Sequence, residues 1–249
     1  MKKSFLQDHP LMTAMLHTDT VDKAIRNVGA CVADGCDAIC WQVCQLQEQF
    51  HNAESYRRVL DAAGDKPVYV TYYRHHFNEK KSDDTLADGL LTLAESGATL
   101  CDVMGDLYDM MPGELTMDAA AIQKQKQLIN ALHASGVEVL MSSHINEFMP
   151  ADRVLEIAME HQSRGADISK IVTGAQNMEE EIENLRITAL LKEKLDIPFL
   201  FLSAGESIIH RRIGPMLGCC MWLCKQEYVE PGVQVQPLLK KLKVMVDNF

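Results

Sequence analysis

Two residues in the middle of the chain stand where a strand would deliver them to a site. Gly136-Val-Glu-Val-Leu-Met-Ser-Ser-His144 is an apolar run that opens on glycine and closes on an imidazole, and Gly165-Ala-Asp-Ile-Ser-Lys170-Ile171 repeats the pattern with an amine. Residues 151–164 between them read as a helix, so the whole is one strand, helix, strand unit. If the two strands lie side by side in a parallel sheet, both side chains emerge near its carboxyl edge, where α/β folds build their sites. Burial disfavours an ammonium ion, and the free amine it leaves can condense with a ketone to form an imine. An imidazole beside it, with an ordinary pKa of about 6.5, can move a proton at neutral pH. The blander readings are a structural ion pair or an edge lysine for Lys170, and a satisfied structural histidine for His144.

The elements that must position these groups follow from apolar runs punctuated by glycine and polar residues. Strands are expected at residues 11–16, 38–43, 68–73, 99–104, in the two runs above, and at 197–202 and 218–224. Helices are expected from a cap at Thr18 or Asp19 through Val32, and over residues 53–63, 84–96, 118–135, 178–195 and 235–246. Asn177 caps the helix led by Glu179, Glu180 and Glu181, whose carboxylates suit both the positive end of the helix dipole and a solvated face. Eight β/α units in 249 residues, about 31 each, give a (β/α)8 TIM barrel as a single domain over 1–249. A doubly wound open sheet fits less well, because no Gly-x-Gly-x-x-Gly follows the first strand.

Composition narrows the function. A formal charge of −11 argues against general nucleic-acid or anionic-membrane binding, though a local cationic pocket can still hold an anionic substrate. No apolar run approaches the roughly 20 residues of a membrane span, and the N-terminus lacks the apolar core of a secretory signal, so the expected location is the cytoplasm. Eight cysteines in a long chain with no signal read as reduced, buried thiols, and none forms the Cys-x-x-Cys pair of a zinc site. His75 and His76 are adjacent, so in an extended segment they point to opposite faces and do not share an ion without a turn. Their loop, with Tyr73, Arg74 and Phe77, reads instead as a cover for the pocket.

The motifs resemble those of the type I 3-dehydroquinate dehydratases. Ser142-Ser143-His144 with Phe148 and Pro150 is similar to that family's Ser-x-His-x-Phe-x-x-Thr-Pro, and Gly165-Ala-Asp-Ile-Ser-Lys170-Ile171 to its Gly-Ala-Asp-Ile-Pro-Lys-Ile. The similarity of order runs from about residue 10 to 239. It implies a Schiff-base lyase without a cofactor, in which Lys170 forms an imine with a keto acid and His144 is the general acid/base. Arg211, in Ile208-Ile-His-Arg-Arg-Ile-Gly214, matches the arginine that binds the substrate carboxylate, a task suited to a planar guanidinium. The blander reading is that Arg211 or Arg212 caps a surface helix. Ser203-Ala-Gly205 resembles the family's Ser-Met-Gly, and a homodimer is carried over with the rest.

The departures bear on the substrate. Where the family has Glu-x-Arg-x-Asp after the second strand, this chain has Cys40, Gln42 and Cys44, and Thr-Phe-Arg on the third strand becomes Thr71-Tyr72-Tyr73. Arg74 comes one residue late, an offset that turns it from the pocket unless a bulge intervenes. The family's Lys-Glu-Gly-Gly is replaced by residues 75–79, and its Ser-Ala-Pro-Gly-Gln by Val229-Glu-Pro-Gly-Val233, with Gln234 near enough for a slipped loop to use. Each polar group left unpaired costs about 1 to 3 kcal/mol. The expected substrate is therefore a cyclic or related hydroxy-keto acid with fewer polar groups than 3-dehydroquinate. An imine-dependent retro-aldol or decarboxylation, and a catalytically silent barrel that binds a metabolite or protein, are the alternatives.

Overall fold

Short β-branched and apolar runs alternate with amphipathic helices along the whole chain, and neighbouring strands of the sheet pair in parallel. In the computed structural model, which describes residues 3–205, 208–228 and 235–248, the order is β1 (Leu11–Leu16), α1 (Val21–Ala33), β2 (Ala38–Gln42), α2 (Ala53–Ala62), β3 (Val68–Thr71), α3 (Asp83–Glu95), β4 (Leu100–Met104), α4 (Ala119–Ala134), β5 (Glu138–His144), α5 (Ala151–Ser163), β6 (Ile168–Ala175), α6 (Met178–Lys194), β7 (Phe199–Gly205), α7 (His210–Leu217), β8 (Met221–Cys224) and α8 (Leu239–Val246). The strands run in the order β7-β6-β5-β4-β3-β2-β1-β8. Cys220 N–H donates to Phe199 O at 2.8 Å and draws the two ends together. This is the expected (β/α)8 TIM barrel.

Alternation along each strand sorts the core into two shells. Ala38, Cys40, Tyr69, Leu100, Leu140, Ile168, Leu200 and Leu223 fill the barrel, with Phe5 against them and its ring edge-on to Tyr69 at 6.2 Å. Ile39, Trp41, Val70, Val103, Val139 and Met141 face outward into the layer under the helices. All eight cysteines are free thiols; seven are buried and Cys220 is half-buried.

Several expected boundaries moved for identifiable reasons. The third strand stops at Thr71, which leaves Tyr72 and Tyr73 in the following loop. The α1 cap is Thr20, whose hydroxyl accepts from Lys23 N, in place of Thr18 or Asp19. The last helix begins at Leu239, not residue 235. Of the carboxylates read as a solvated face, Glu181 is buried: its Oε1 accepts from the backbone N–H of His210 at 2.7 Å, so it supports the start of α7. Among the described residues no helix is long and apolar enough to cross a membrane.

Candidate active site

Gly165 turns the chain out of α5 with φ of 98°, and β6 then carries Lys170 to the barrel interior. Only 5% of Lys170 is exposed. Its Nζ donates to Tyr73 Oη at 2.6 Å and Tyr69 Oη at 3.1 Å, and lies 3.3 Å from Asp102 Oδ2. Both phenols donate to that same carboxylate oxygen, and Ser142 Oγ donates to Asp102 Oδ1 at 2.5 Å. The sequence reading had burial alone freeing the amine. The structure adds a neighbour that reading lacked: the Asp102 carboxylate, itself 2% exposed, lies within ion-pair distance of the amine. Burial, with Asp102 adding to it, raises the Tyr69 and Tyr73 phenols well above the usual range, so both stay protonated.

Asp102 and Tyr69 escaped the sequence reading. A signal existed, because Asp102 falls at an inward position of an otherwise apolar strand, the same conflict that singled out Lys170.

His144 ends β5, next to β6 in the sheet, with its backbone opposite Val172. Its Nδ1 lies 2.7 Å from Glu114 Oε2, and its backbone N–H donates to the same oxygen at 2.8 Å. Burial pushes the Glu114 carboxyl up, but the hydrogen bonds from His144 outweigh it and hold the group below its usual range. Glu114 comes from the long connection between β4 and α4 and has φ of 48°, which a non-glycine residue adopts only when its surroundings impose it. Those surroundings are polar and buried. Ser143 Oγ donates to Glu114 O at 2.6 Å and is backed by His161, whose other nitrogen meets Ser169 Oγ at 3.0 Å. Arg164, 2% exposed, donates to Gly105 O and Thr116 O at the two ends of the loop. A Cβ on Gly105 would sit 2.5 Å from Glu114 O, so only glycine lets the loop close this tightly.

A cavity of about 450 Å³ opens beside these groups, with Tyr73, His75, Met104, Met111, Glu114 and His144 on its walls. Lys170 does not line it. Tyr73 stands between: its hydroxyl is on the amine, and its ring packs edge-on to the His144 ring at 5.2 Å. Arg74 also lines the cavity, contrary to the register argument, because β3 has already ended and alternation no longer applies. Its guanidinium is committed to Asp83 in a two-pronged pair and to Asp106 at 2.6 Å. His75 and His76 do not diverge: His76 has φ of 55°, and the rings meet edge-on at 4.7 Å. Among the described residues no group of three or more metal-ligating side chains is assembled.

The remaining candidates fall in different places. Cys40 is buried in the barrel, its thiol pushed up to about 12 by burial. Gln42, at the end of β2, accepts from Gln45 Nε2 at 3.1 Å, beneath His17 and His76, which also face that amide. Ser203 lies within β7, its hydroxyl bonded by Asn184 and its carbonyl accepting from Arg211 Nε at 2.5 Å. Arg211 is buried on α7 and not on a surface cap, and burial lowers its guanidinium to about 10. Gln234, with Val229 and Val233, lies outside the described residues. Gln236, which the sequence reading passed over, accepts from Arg211 Nη1 at 2.8 Å and donates to Leu223 O.

With the geometry in place, comparison with known proteins is specific. A family model described as type I 3-dehydroquinase matches residues 12–232. The 3-dehydroquinate dehydratase of Klebsiella pneumoniae is 25% identical over 221 residues, covering 88% of this chain and 85% of that protein. The Alkaliphilus oremlandii 3-dehydroquinate dehydratase is 34% identical over a shorter 113 residues, 44% of this chain and 43% of its own. Among solved structures, the 3-dehydroquinate dehydratase of Geobacillus kaustophilus superposes with a TM-score of 0.83 at 14% identity, over 99% of this chain and 95% of that one. The type I enzyme of Clostridium difficile, solved with covalently modified comenic acid, gives 0.82 at 20% identity, over 97% and 93%. At these identities the structural likeness speaks for the fold.

Proposed function

Because the chain belongs to the type I 3-dehydroquinase family, we propose that it is a Schiff-base-forming dehydratase acting on a hydroxy-keto acid of the 3-dehydroquinate kind. One observation carries the reading: a buried lysine occupies an interior position of β6, one strand from a histidine held by a carboxylate. In this reading Lys170 attacks the ketone, and the protonated imine withdraws electrons from the adjacent carbon. His144 removes the proton there and delivers it to the departing hydroxyl. Glu114 accepts from His144 Nδ1 and so leaves Nε2 to do this work. Arg211 anchors the substrate carboxylate.

The substrate is one with fewer polar groups than 3-dehydroquinate. Tyr73 and Met104 are weakly polar walls of the cavity, Cys40 lies buried deeper in the barrel, and Arg74 is already neutralised by two carboxylates. Gln42, Ser203 and the loop with Gln234 are assigned to substrate contact by the resemblance alone. A homodimer is carried over on the same ground.

The test is borohydride trapping with 3-dehydroquinate and a panel of hydroxy-keto acids, with the adduct located by mass spectrometry. Attachment at Lys170 and loss of water from the product support the reading; attachment elsewhere, or none with any acid, defeats it. One observation favours a second reading. The three hydrogens of the Lys170 ammonium all find partners within the protein and the amine does not line the cavity, as suits an ion pair in a barrel that binds a metabolite without converting it. Such a barrel keeps its ligand affinity after Lys170→Ala, whereas an enzyme loses turnover.

A further inference from the structure

An ion-paired lysine is not a nucleophile, so a Schiff-base site built this way needs somewhere for the lysine proton to go. This inference rests on the imine reading above. Tyr73 Oη accepts from Lys170 Nζ at 2.6 Å and, through its own hydrogen, donates to Asp102 Oδ2. The direct path from Nζ to that oxygen is longer, at 3.3 Å. Tyr69 makes the same two contacts from inside the barrel, but only Tyr73 also lines the mouth cavity, edge-on to His144.

We propose that Tyr73 is a catalytic proton relay between Lys170 and Asp102, which stores the lysine proton while the amine attacks and returns it to expel water. In the first step Lys170 gives a proton to Tyr73 Oη as the phenolic hydrogen passes to Asp102 Oδ2. The products are a neutral amine, a neutral carboxylic acid and an unchanged phenol. A dry interior favours this exchange because two buried charges disappear together. The amine lone pair then forms the C–N bond, the carbonyl π pair moves to oxygen, and His144 carries one amine proton to that oxygen to give the carbinolamine.

In the last step the stored proton travels back through Tyr73 to the carbinolamine hydroxyl. The C–O bond breaks, water leaves, and the nitrogen lone pair forms the iminium. Charge is conserved: an ammonium beside a carboxylate becomes an iminium beside a carboxylate. The phenol serves as a conduit and never rests as phenolate, in keeping with its burial beside Asp102.

The experiment uses acetylacetone, a small neutral diketone that condenses with reactive amines to a coloured enaminone and so needs none of the natural substrate's recognition. Its rate on the whole protein is followed against pH in water and in deuterium oxide, with the adduct placed by mass spectrometry and folding checked by thermal unfolding. The expected result is a single adduct at Lys170, formed about 100-fold more slowly in Tyr73→Phe across the whole pH range, against about threefold for Tyr69→Phe. The wild-type reaction slows in deuterium oxide, and Tyr73→Phe loses most of that effect. A folded Tyr73→Phe that reacts at the wild-type rate overturns the relay and leaves the imine reading standing. Equal slowing by Tyr69→Phe, or a wild-type rate unchanged in deuterium oxide, also overturns it, and the latter needs no variant. No adduct at Lys170 in the wild type defeats the imine reading itself.

Discussion

Glu114 Oε2 is shared by two donors of one residue, the ring Nδ1 of His144 at 2.7 Å and its backbone nitrogen at 2.8 Å. A single oxygen so placed fixes both where the imidazole sits and which nitrogen holds its proton. It does so from a loop, which is why buried Arg164 and the Ser143 and His161 pair are needed to hold that loop still.

Glu114→Gln therefore keeps a side chain of nearly the same shape while removing the charge that orients the ring. On the keto acid identified by trapping, kcat is expected to fall about 10- to 100-fold with KM within about threefold, and the adduct still to form at Lys170, though more slowly because His144 also carries the carbinolamine proton. An unchanged kcat would show that His144 needs no partner.

Lys170 and Asp102 form the most deeply buried ion pair at the site. A double-mutant cycle with Lys170→Met and Asp102→Asn, followed by urea unfolding, is expected to give a coupling of about 2 to 3 kcal/mol, since each single change strands the other charge. A coupling near zero would mean that the three hydroxyls on Asp102 satisfy it without the ammonium.

Arg74 ties the loop after β3 to the loop after β4 through Asp83 and Asp106, and the Asp106 side chain is only 1% exposed. Arg74→Met leaves that carboxylate without its cation, and a loss of about 3 kcal/mol in unfolding free energy is expected. A loss under about 1 kcal/mol would show that water replaces the guanidinium.

His161 is fully buried, and burial, with Arg164 nearby, lowers its imidazole to about 3 from 6.5. Between those values the unfolded chain binds a proton that the folded one does not, so stability falls as pH drops from about 6.5 towards 3. By pH 5 this group alone removes about 2 kcal/mol. His161→Gln should flatten the decline of unfolding free energy between pH 6.5 and 5; an identical slope would place the proton uptake elsewhere.

Much of this protein was written locally. Apolar residues within each run, a glycine ahead of six of the eight (Gly35, Gly64, Gly97, Gly136, Gly165 and Gly218) and helix formers between the runs fix strand, helix, strand at short range, and eight such units with parallel neighbours close into a barrel. Lys170 and His144 were legible for the same reason: each violates the polarity of its own strand, and their separation equals one crossover. Arg211 was legible as a motif, although burial against Ser203 O and Gln236 had to come from the fold.

What surrounds the amine was not local. Tyr69, Tyr73 and Asp102 come from strands β3 and β4 and the loop between them, about 100 and 70 residues from Lys170, and only barrel closure brings them together. Glu114 reaches His144 through an irregular loop whose path depends on a buried arginine and a glycine pressed against a carbonyl, interactions with no period to read. Sequence determined the scaffold and its two chemical side chains. The tertiary structure decided which groups surround them, because those contacts depend on distances across the barrel rather than along the chain.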